Sequence, residues 1–392
     1  MERFEKPFTR QAPLPQAAVE AALAVLRGGA LHRYGAEPSE ASALEAEFAR
    51  AVGARFAVAV ASGGYAMAAA LRALGVGPGD AVLANAWTLA PVPGAVAALG
   101  ARPVLVETTE ALVIDLGDLA AKMDAHPEAR VLLLSHMRGH LADMEALARL
   151  CGARGVAVVE DCAHAMGAAW DGVPAGRWGA VGCFSTQSYK HVDSGEGGLV
   201  ATDDADLAAR LVLGSGAYRL HDRHGAAPGP EVFARHVGIV PNVSGRMDEL
   251  RAAILRPQVA ALPERAAAWG ERYRALEAAL ARAPGLAPIP RPAAEAFVGS
   301  SIQALAGAPA RVPAFVAACA ARGVAWTWYG GPAAGYASTH HDWGFVAPQP
   351  LPRTDAVMAR LLDMRVPLSF DLDDCAAIGR IVADEAARHL AA

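Results

Sequence analysis

Lys190 closes the stretch Phe184-Ser185-Thr186-Gln187-Ser188-Tyr189-Lys190, and Ser194-Gly195-Glu196-Gly197-Gly198-Leu199-Val200 then makes a glycine-rich turn into an apolar run. Small and aromatic neighbours are a setting in which a lysine leaves solvent. A desolvated ε-amine loses its proton near neutral pH and becomes a nucleophile and a proton carrier. Such an amine can hold an aldehyde cofactor as a Schiff base. Most lysines only face water, so this reading needs partner residues at matching places in the chain.

Those partners are present in order. Val156-Ala157-Val158-Val159 reads as a buried strand with Glu160 and Asp161 at its carboxyl end, the edge where ligands sit in open α/β sheets. A carboxylate there can pair with a protonated pyridine nitrogen and keep the ring an electron sink. Asp161, last in the pattern and followed by small Cys162-Ala163, is preferred to Glu160; a strand-end carboxylate that caps a helix has the same signature. His164, three residues on, is placed to contact a phenolic oxygen or to act as a structural hydrogen bonder. Ala61-Ser62-Gly63-Gly64-Tyr65 joins a strand to a helix, so Gly63 and Gly64 let an anion approach the first N–H groups of that helix. An ordinary tight turn has the same composition. Ser185 offers a hydroxyl to the same phosphate. Trp87, after the strand ending near Ala84-Asn85, can stack on a flat heteroaromatic ring or pack in the core. Phosphate turn, aromatic, strand-end acid and amine, taken together, point to pyridoxal 5'-phosphate.

The elements that must carry these residues alternate. Strands are predicted at 56–60, 81–83, 103–106, 131–134, 156–159, 180–184 and 198–202. Helices are predicted at 65–73, 91–99, 142–151 and 205–213. Alternation of this kind predicts βαβ units and a mostly parallel sheet covered on both faces. A Gly/Pro/His/Arg-rich loop spans 214–242, and a helical pattern runs over 247–283, where Pro257 and Pro263 should kink or divide it. A proline-rich connector at 284–292 leads to a smaller αβ pattern, with a helix at 313–322, a Gly/aromatic loop at 328–343 and terminal helices. Residues 1–256 are assigned to a large cofactor-binding domain, and 257–392 to the linking helix and a small C-terminal domain.

Composition narrows the class. The chain has 392 residues, is 54% hydrophobic and carries a net charge of -5, so its core is ample and no basic face invites nucleic acid. The five cysteines are widely spaced without a C-x-x-C pattern, which argues for a reducing cytosol and against structural zinc. The first residues lack an apolar signal-like run, and no apolar stretch reaches the ~18 residues of a membrane span. The expectation is a cytoplasmic protein with no membrane partner and no metal.

Together these residues resemble the DegT/DnrJ/EryC1/StrS (sugar) aminotransferases, pyridoxal phosphate enzymes of fold type I. The resemblance runs from about Gly29 to Leu262. It is strongest in Val158-Val159-Glu160-Asp161-Cys162-Ala163-His164-Ala165-Met166-Gly167, and continues through Gly176-Arg177-Trp178-Gly179 and Phe184-Ser185 to Lys190 and Gly195-Glu196-Gly197-Gly198. It implies an α/β fold, with a mostly parallel mixed sheet flanked by helices and a smaller α+β C-terminal domain. It makes Lys190 the Schiff-base lysine and Asp161 the partner of the pyridine nitrogen. His164 then contacts the ring hydroxyl, Trp87 stacks on the ring, and Ser185, Gly63 and Gly64 bind phosphate. The family usually has Ser-Gly-Thr where this chain has Ser62-Gly63-Gly64, and often Asn where it has His191. Asn242-Val243-Ser244-Gly245-Arg246-Met247 resembles, with wider spacing, a segment that reaches the neighbour's phosphate. Asn242 is the choice there and Ser244 the competitor. The usual His-Tyr-Pro segment is replaced by Trp326-Thr327-Trp328-Tyr329-Gly330-Gly331.

The resemblance further implies homodimers with shared active sites, in which the loop 219–224 could reach the partner's site or simply be solvated. It implies transfer of an amino group from glutamate or glutamine to a keto sugar, nucleotide keto sugar or cyclitol, in secondary-metabolite or glycan biosynthesis. A dehydration, racemisation or aromatisation on the same cofactor is the alternative. A cofactor-binding regulator lacks a DNA-binding module, and a dinucleotide oxidoreductase lacks a G-x-G-x-x-G.

Overall fold

The computed structural model describes residues 2–332 and 339–391, so part of the aromatic loop expected at 328–343 lies outside the described residues. Nine strands form in the first half: β1 (Phe56–Val60), β2 (Ala81–Asn85), β3 (Arg102–Val106), β4 (Val131–Ser135), β5 (Ala157–Asp161), the two-residue β6 (Ala169–Trp170) and β7 (Val173–Pro174), β8 (Val181–Ser185) and β9 (Gly198–Thr202). Seven of them make one sheet in the order β1-β9-β8-β5-β4-β2-β3. β3, β2, β4, β5 and β8 are parallel, and β9 runs antiparallel between β8 and β1.

Each strand is short and rich in Val, Leu and Ala because helices cover both faces of the sheet. Alternate side chains serve different cores. Leu83, Leu132, Leu134 and Val158 point into one cluster, and Val82, Leu133, Val159 and Val181 into the other. The predicted strands and helices of this region are present with ends shifted by a residue or two. Helices Gln16–Gly28, Glu40–Val52 and Leu116–Ala125 were not anticipated. The expected long helix is divided at Ala261 into Glu249–Ala260 and Leu262–Leu280. Pro257 stays inside the first helix, while Pro263 sits in the first turn of the second, where its missing N–H removes no helical bond.

The C-terminal part adds β10 (Leu286–Pro288), β11 (Glu295–Ala296), β12 (Ser301–Ala306), β13 (Thr327–Trp328) and β14 (Leu361–Arg365). β10-β12-β14-β13 form an antiparallel sheet. It packs on helix Leu372–His389 through Ile302, Phe315, Leu362, Ile378 and Ile381. Phe4 and Phe8 join this second core, each edge-on to Phe370 at 5.0 Å. The start of the chain therefore packs with its C-terminal third. β11 pairs with β6, and β11-β6-β7 make a third, three-stranded sheet that joins the C-terminal part of the chain to the N-terminal part.

Glu160 shows why a strand-end acid is not automatically a ligand group. It is fully buried, and its two oxygens accept from the backbone N–H groups of Trp178 (2.8 Å), Gly179 (2.6 Å) and Gly176 (2.9 Å), with His136 Nε2 at 3.0 Å. It clamps the turn before β8 to the ends of β4 and β5. Gly176 is required there: its φ is 87°, and a Cβ would meet Phe184 at 2.5 Å. Glu160→Ala strands several buried donors and is expected to cost ~3 kcal/mol or more in denaturant unfolding; a change within the ±0.5 kcal/mol typical of surface sites would contradict this role.

Candidate active site

The carboxyl ends of β1, β2, β4, β5 and β8 share one edge of the sheet, and the residues singled out from the sequence follow those ends. At the end of β5, Asp161 is nearly buried. Its Oδ2 accepts from Ser135 Oγ at 2.9 Å and its Oδ1 from the N–H of Ala163 at 3.1 Å. Ser135 Oγ in turn accepts from Thr88 Oγ1 at 2.8 Å, and Asn85 brackets the Ser135 backbone through both its amide atoms. A carboxylate held by fixed donors keeps its orientation. The two adjacent acids thus have different roles: Glu160 is committed to backbone donors, and Asp161 is oriented by a hydroxyl relay from β4.

Lys190 follows β8 through a tight turn in which Tyr189 adopts φ 74°, a left-handed conformation uncommon outside glycine. Its Nζ lies 2.8 Å from His164 Nε2. Burial pushes the Lys190 amine down to about 7, with Asp161 opposing the shift and Arg138 and Arg365 adding to it. Burial, reinforced by Lys190, also pushes His164 well below its usual range. The pair is therefore a neutral imidazole accepting from an amine that is largely uncharged above neutrality. The sequence contains two other lysines. Lys6 is ion-paired to Asp371 and Asp374 at the surface, and Lys122 lies on helix Leu116–Ala125. Neighbouring His191 is buried, bonded to Ser300 Oγ at 3.0 Å and pushed down to about 3 by burial, so it adds no charge.

At the end of β1, Ser62 caps helix Gly63–Ala73 by accepting from the N–H of Tyr65 at 3.0 Å. The first N–H groups of a helix have no partner within it and suit an anion. The two glycines differ. A Cβ on Gly63 would lie 2.8 Å from Ser185 Cβ, so turn and hydroxyl are in contact and Gly63 has no room for a side chain. A Cβ on Gly64 would meet nothing nearer than 3.9 Å. Trp87, in contrast, is 1% exposed and packs against Tyr329 and His140 with its indole N–H unpartnered. Its ring stands edge-on to Tyr329 with centroids 5.8 Å apart. Asn242 and Ser244 are both exposed on this chain, with no recorded contact to Lys190. In the loop 219–224, His224 is turned inward, its Nδ1 2.9 Å from buried Glu45 and its Nε2 2.9 Å from Tyr34 OH.

Lys190 and His164 open into a cleft of about 710 Å³ between the two sheets. Its walls include Trp326, Trp328 and Tyr329 from the divergent segment, together with Arg138 and Arg365, which sequence reasoning missed. Arg138 stands three residues after β4, at the same sheet edge as Asp161, and that position was its available signal. Arg365 ends β14, a strand that carried no recognisable motif. Among the described residues, His136, Glu160 and Cys162 converge closely enough to hold a metal, as do His340, His341 and Asp355. Glu160 is already saturated by its hydrogen bonds.

Two expected outcomes follow. The folded pKa of Lys190 lies below the 10.5 of the free side chain, so between about pH 7 and 10.5 the unfolded chain binds more protons and stability rises with pH. Below about 7 both states are protonated and the full cost of a buried ammonium remains. Cofactor-free protein is expected to gain stability across that window relative to Lys190→Met, by on the order of a few kcal/mol in denaturant titrations; parallel curves would contradict the burial. A Cβ at Gly64 fits without displacement, and Gly64→Thr is expected to tighten cofactor binding severalfold, while Gly63→Ala weakens it by roughly tenfold or more, both read by cofactor titration. Equal effects of the two would refute the distinction.

The chain matches the DegT/DnrJ/EryC1/StrS aminotransferase family over residues 15–383. The 3-amino-5-hydroxybenzoate synthase of Amycolatopsis mediterranei (strain S699) is 33% identical over 249 residues, which is 64% of this chain and 62% of that protein, less than two thirds of its length. The UDP-N-acetyl-3-dehydro-alpha-D-glucosamine 3-aminotransferase of Acidithiobacillus ferrooxidans is 33% identical over 294 residues, 71% of this chain and 76% of that one. A crystal structure of 3-amino-5-hydroxybenzoic acid synthase superimposes with a TM-score of 0.82 at 28% identity, covering 97% of this chain and 99% of that one. This chain therefore belongs to the DegT/DnrJ/EryC1/StrS aminotransferase family, on the fold of its pyridoxal phosphate-dependent members.

Proposed function

We propose that the protein transfers an amino group from an amino acid, glutamate or glutamine, to a keto sugar, nucleotide keto sugar or cyclitol, using Lys190 as the acting amine. The observation that carries this reading is the buried Lys190 Nζ, 2.8 Å from His164 Nε2 and pushed down to about 7 by burial, where both residues line the cleft. A family match, a dehydro-sugar aminotransferase among the relatives and a hydroxybenzoate-forming one support the reaction class.

The residues present fit pyridoxal 5'-phosphate. A low-pKa amine, an oriented carboxylate and a helix start that touches a serine hydroxyl are what its aldehyde, ring nitrogen and phosphate require. When bound, it supplies an electron sink that stabilises negative charge on the carbon next to the transferred nitrogen. Lys190 would hold the aldehyde carbon, and its amine, held down to about 7, can both accept and release a proton and so would serve as the proton carrier of the transfer. Asp161, fixed by Ser135 and Ala163, would pair with the ring nitrogen and favour its protonated form. His164 would contact the ring hydroxyl. Gly63, Gly64 and Ser185 would receive the phosphate, and Trp87 would support the ring face. Asn242, with Ser244 as competitor, reaches the phosphate of a second copy in a homodimer; the exposure of both on this chain supports that placement. The proposed setting is a cytoplasmic enzyme of secondary-metabolite or glycan biosynthesis; among the described residues no helix is long and apolar enough to cross a membrane.

Rapid mixing of cofactor-loaded protein with glutamate is expected to discharge the yellow colour and release 2-oxoglutarate. Lys190→Ala is expected to lose both, with a rate loss of at least about a thousandfold. Undiminished colour and turnover in that variant would end the assignment. Colour that persists under glutamate and glutamine would end the transamination.

A further inference from the structure

His340, His341 and Asp355 bring two imidazole nitrogens and a carboxylate to one point in the C-terminal part of the chain. Both Nε2 atoms face the same oxygen: His340 Nε2 lies 2.9 Å and His341 Nε2 2.8 Å from Asp355 Oδ1. The two rings lie against each other, with centroids 3.9 Å apart. The histidines stand in a short 3-10 turn, His340–Asp342, and Asp355 in the first turn of helix Pro352–Met358, which no side chain caps. The cluster therefore joins two elements. Its surroundings favour a cation. Buried Glu107, which accepts from the N–H groups of Arg353 and Thr354, acts electrostatically on His340. The guanidinium of Arg353 is turned away to Asp115 at 2.6 Å. The side chain of His340 is 6% exposed and that of His341 66%, so one imidazole is anchored while the other side of the cluster is open to an arriving ion.

We infer that His340, His341 and Asp355 form a binding site for a divalent transition-metal cation, zinc being the one its donors suit, and that the ion fastens the turn His340–Asp342 to helix Pro352–Met358. Two imidazoles and a carboxylate are a zinc donor set, whereas magnesium and calcium take oxygen. The spacing is close to what the ion needs. Metal–ligand distances of about 2.0–2.2 Å in a tetrahedron separate neighbouring ligand atoms by roughly 3.3–3.6 Å. Small side-chain rotations widen the present separations of 2.9 and 2.8 Å to that value. Three protein ligands leave a fourth position to water. The buried cluster of His136, Glu160 and Cys162 is not equivalent, because Glu160 is committed to backbone donors. The ion also bears on the cleft. Thr339, next to His340, lines it, and Val357 and Met358, on the helix of Asp355, pack in one cluster with Tyr329. The site stands independently of the proposed transamination.

The test is calorimetry on the full-length, tag-free, cofactor-loaded protein after treatment with a chelator, titrated with zinc chloride and separately with magnesium chloride. Zinc is expected to bind at one equivalent per chain with a Kd of about 10 μM or tighter, and magnesium not to bind. His341→Ala, at an exposed position, and Asp355→Asn are each expected to weaken zinc binding at least about tenfold, and Cys162→Ser to leave it unchanged. Zinc is also expected to slow amide hydrogen exchange in the peptide 339–344 at least about threefold in the parent protein and not in His341→Ala. Substoichiometric binding, or affinity undiminished in both ligand variants, overturns the site. So does binding that is lost in Cys162→Ser and kept in His341→Ala, which assigns the ion to the buried cluster. Stoichiometric zinc with unchanged exchange at 339–344 overturns the fastening of the turn.

Discussion

The removal of one ammonium group from water is the constraint on which the rest of the site depends. A lysine amine in solvent is charged at neutral pH and cannot act as a nucleophile. Here burial is the largest influence on Lys190, Arg138 and Arg365 add to it, and Asp161 opposes it. The balance leaves the amine near 7, where it can both take and give a proton. His164 completes the arrangement by remaining neutral, so the amine has an acceptor without a competing charge.

That balance is produced by the topology. Parallel strands bring β1, β2, β4, β5 and β8 to a common edge, and β9 returns antiparallel to place the glycine-rich turn behind Lys190. The antiparallel sheet of the C-terminal third closes the cleft from the opposite side with Trp328, Tyr329 and Arg365. One half of the site thus comes from strand ends whose sequence pattern is strong. The other half comes from a region where the family's pattern is weakest, and that is where the substrate is expected to be chosen.

Legibility in the sequence followed the same division. β1 and β9 were read to the residue because each is a short apolar run bounded by turn residues. Asp161, His164 and Lys190 were readable because they stand at fixed offsets from such runs. Helices Gln16–Gly28 and Glu40–Val52 escaped because they lie before the first clear strand, outside the strand–helix alternation that marks the others. Glu160 and Asp161 are told apart in the sequence by position alone; the convergence of three backbone N–H groups and His136 on Glu160 exists only in three dimensions. The different tolerance of Gly63 and Gly64 is likewise invisible until Ser185 is placed against one and not the other. Arg138 and Arg365 are far apart in the chain and meet only because two sheets face one cleft. No local pattern encodes that meeting.

The scarcity of lysine makes the central claim open to one direct measurement. Borohydride reduction of the cofactor-loaded protein, followed by peptide mass mapping, fixes the cofactor's C4′ to whichever amine holds it. The account predicts a pyridoxyl adduct on the peptide containing Lys190, with Lys6 and Lys122 unmodified. An adduct on either of those lysines with Lys190 intact, or no adduct at all, would contradict it.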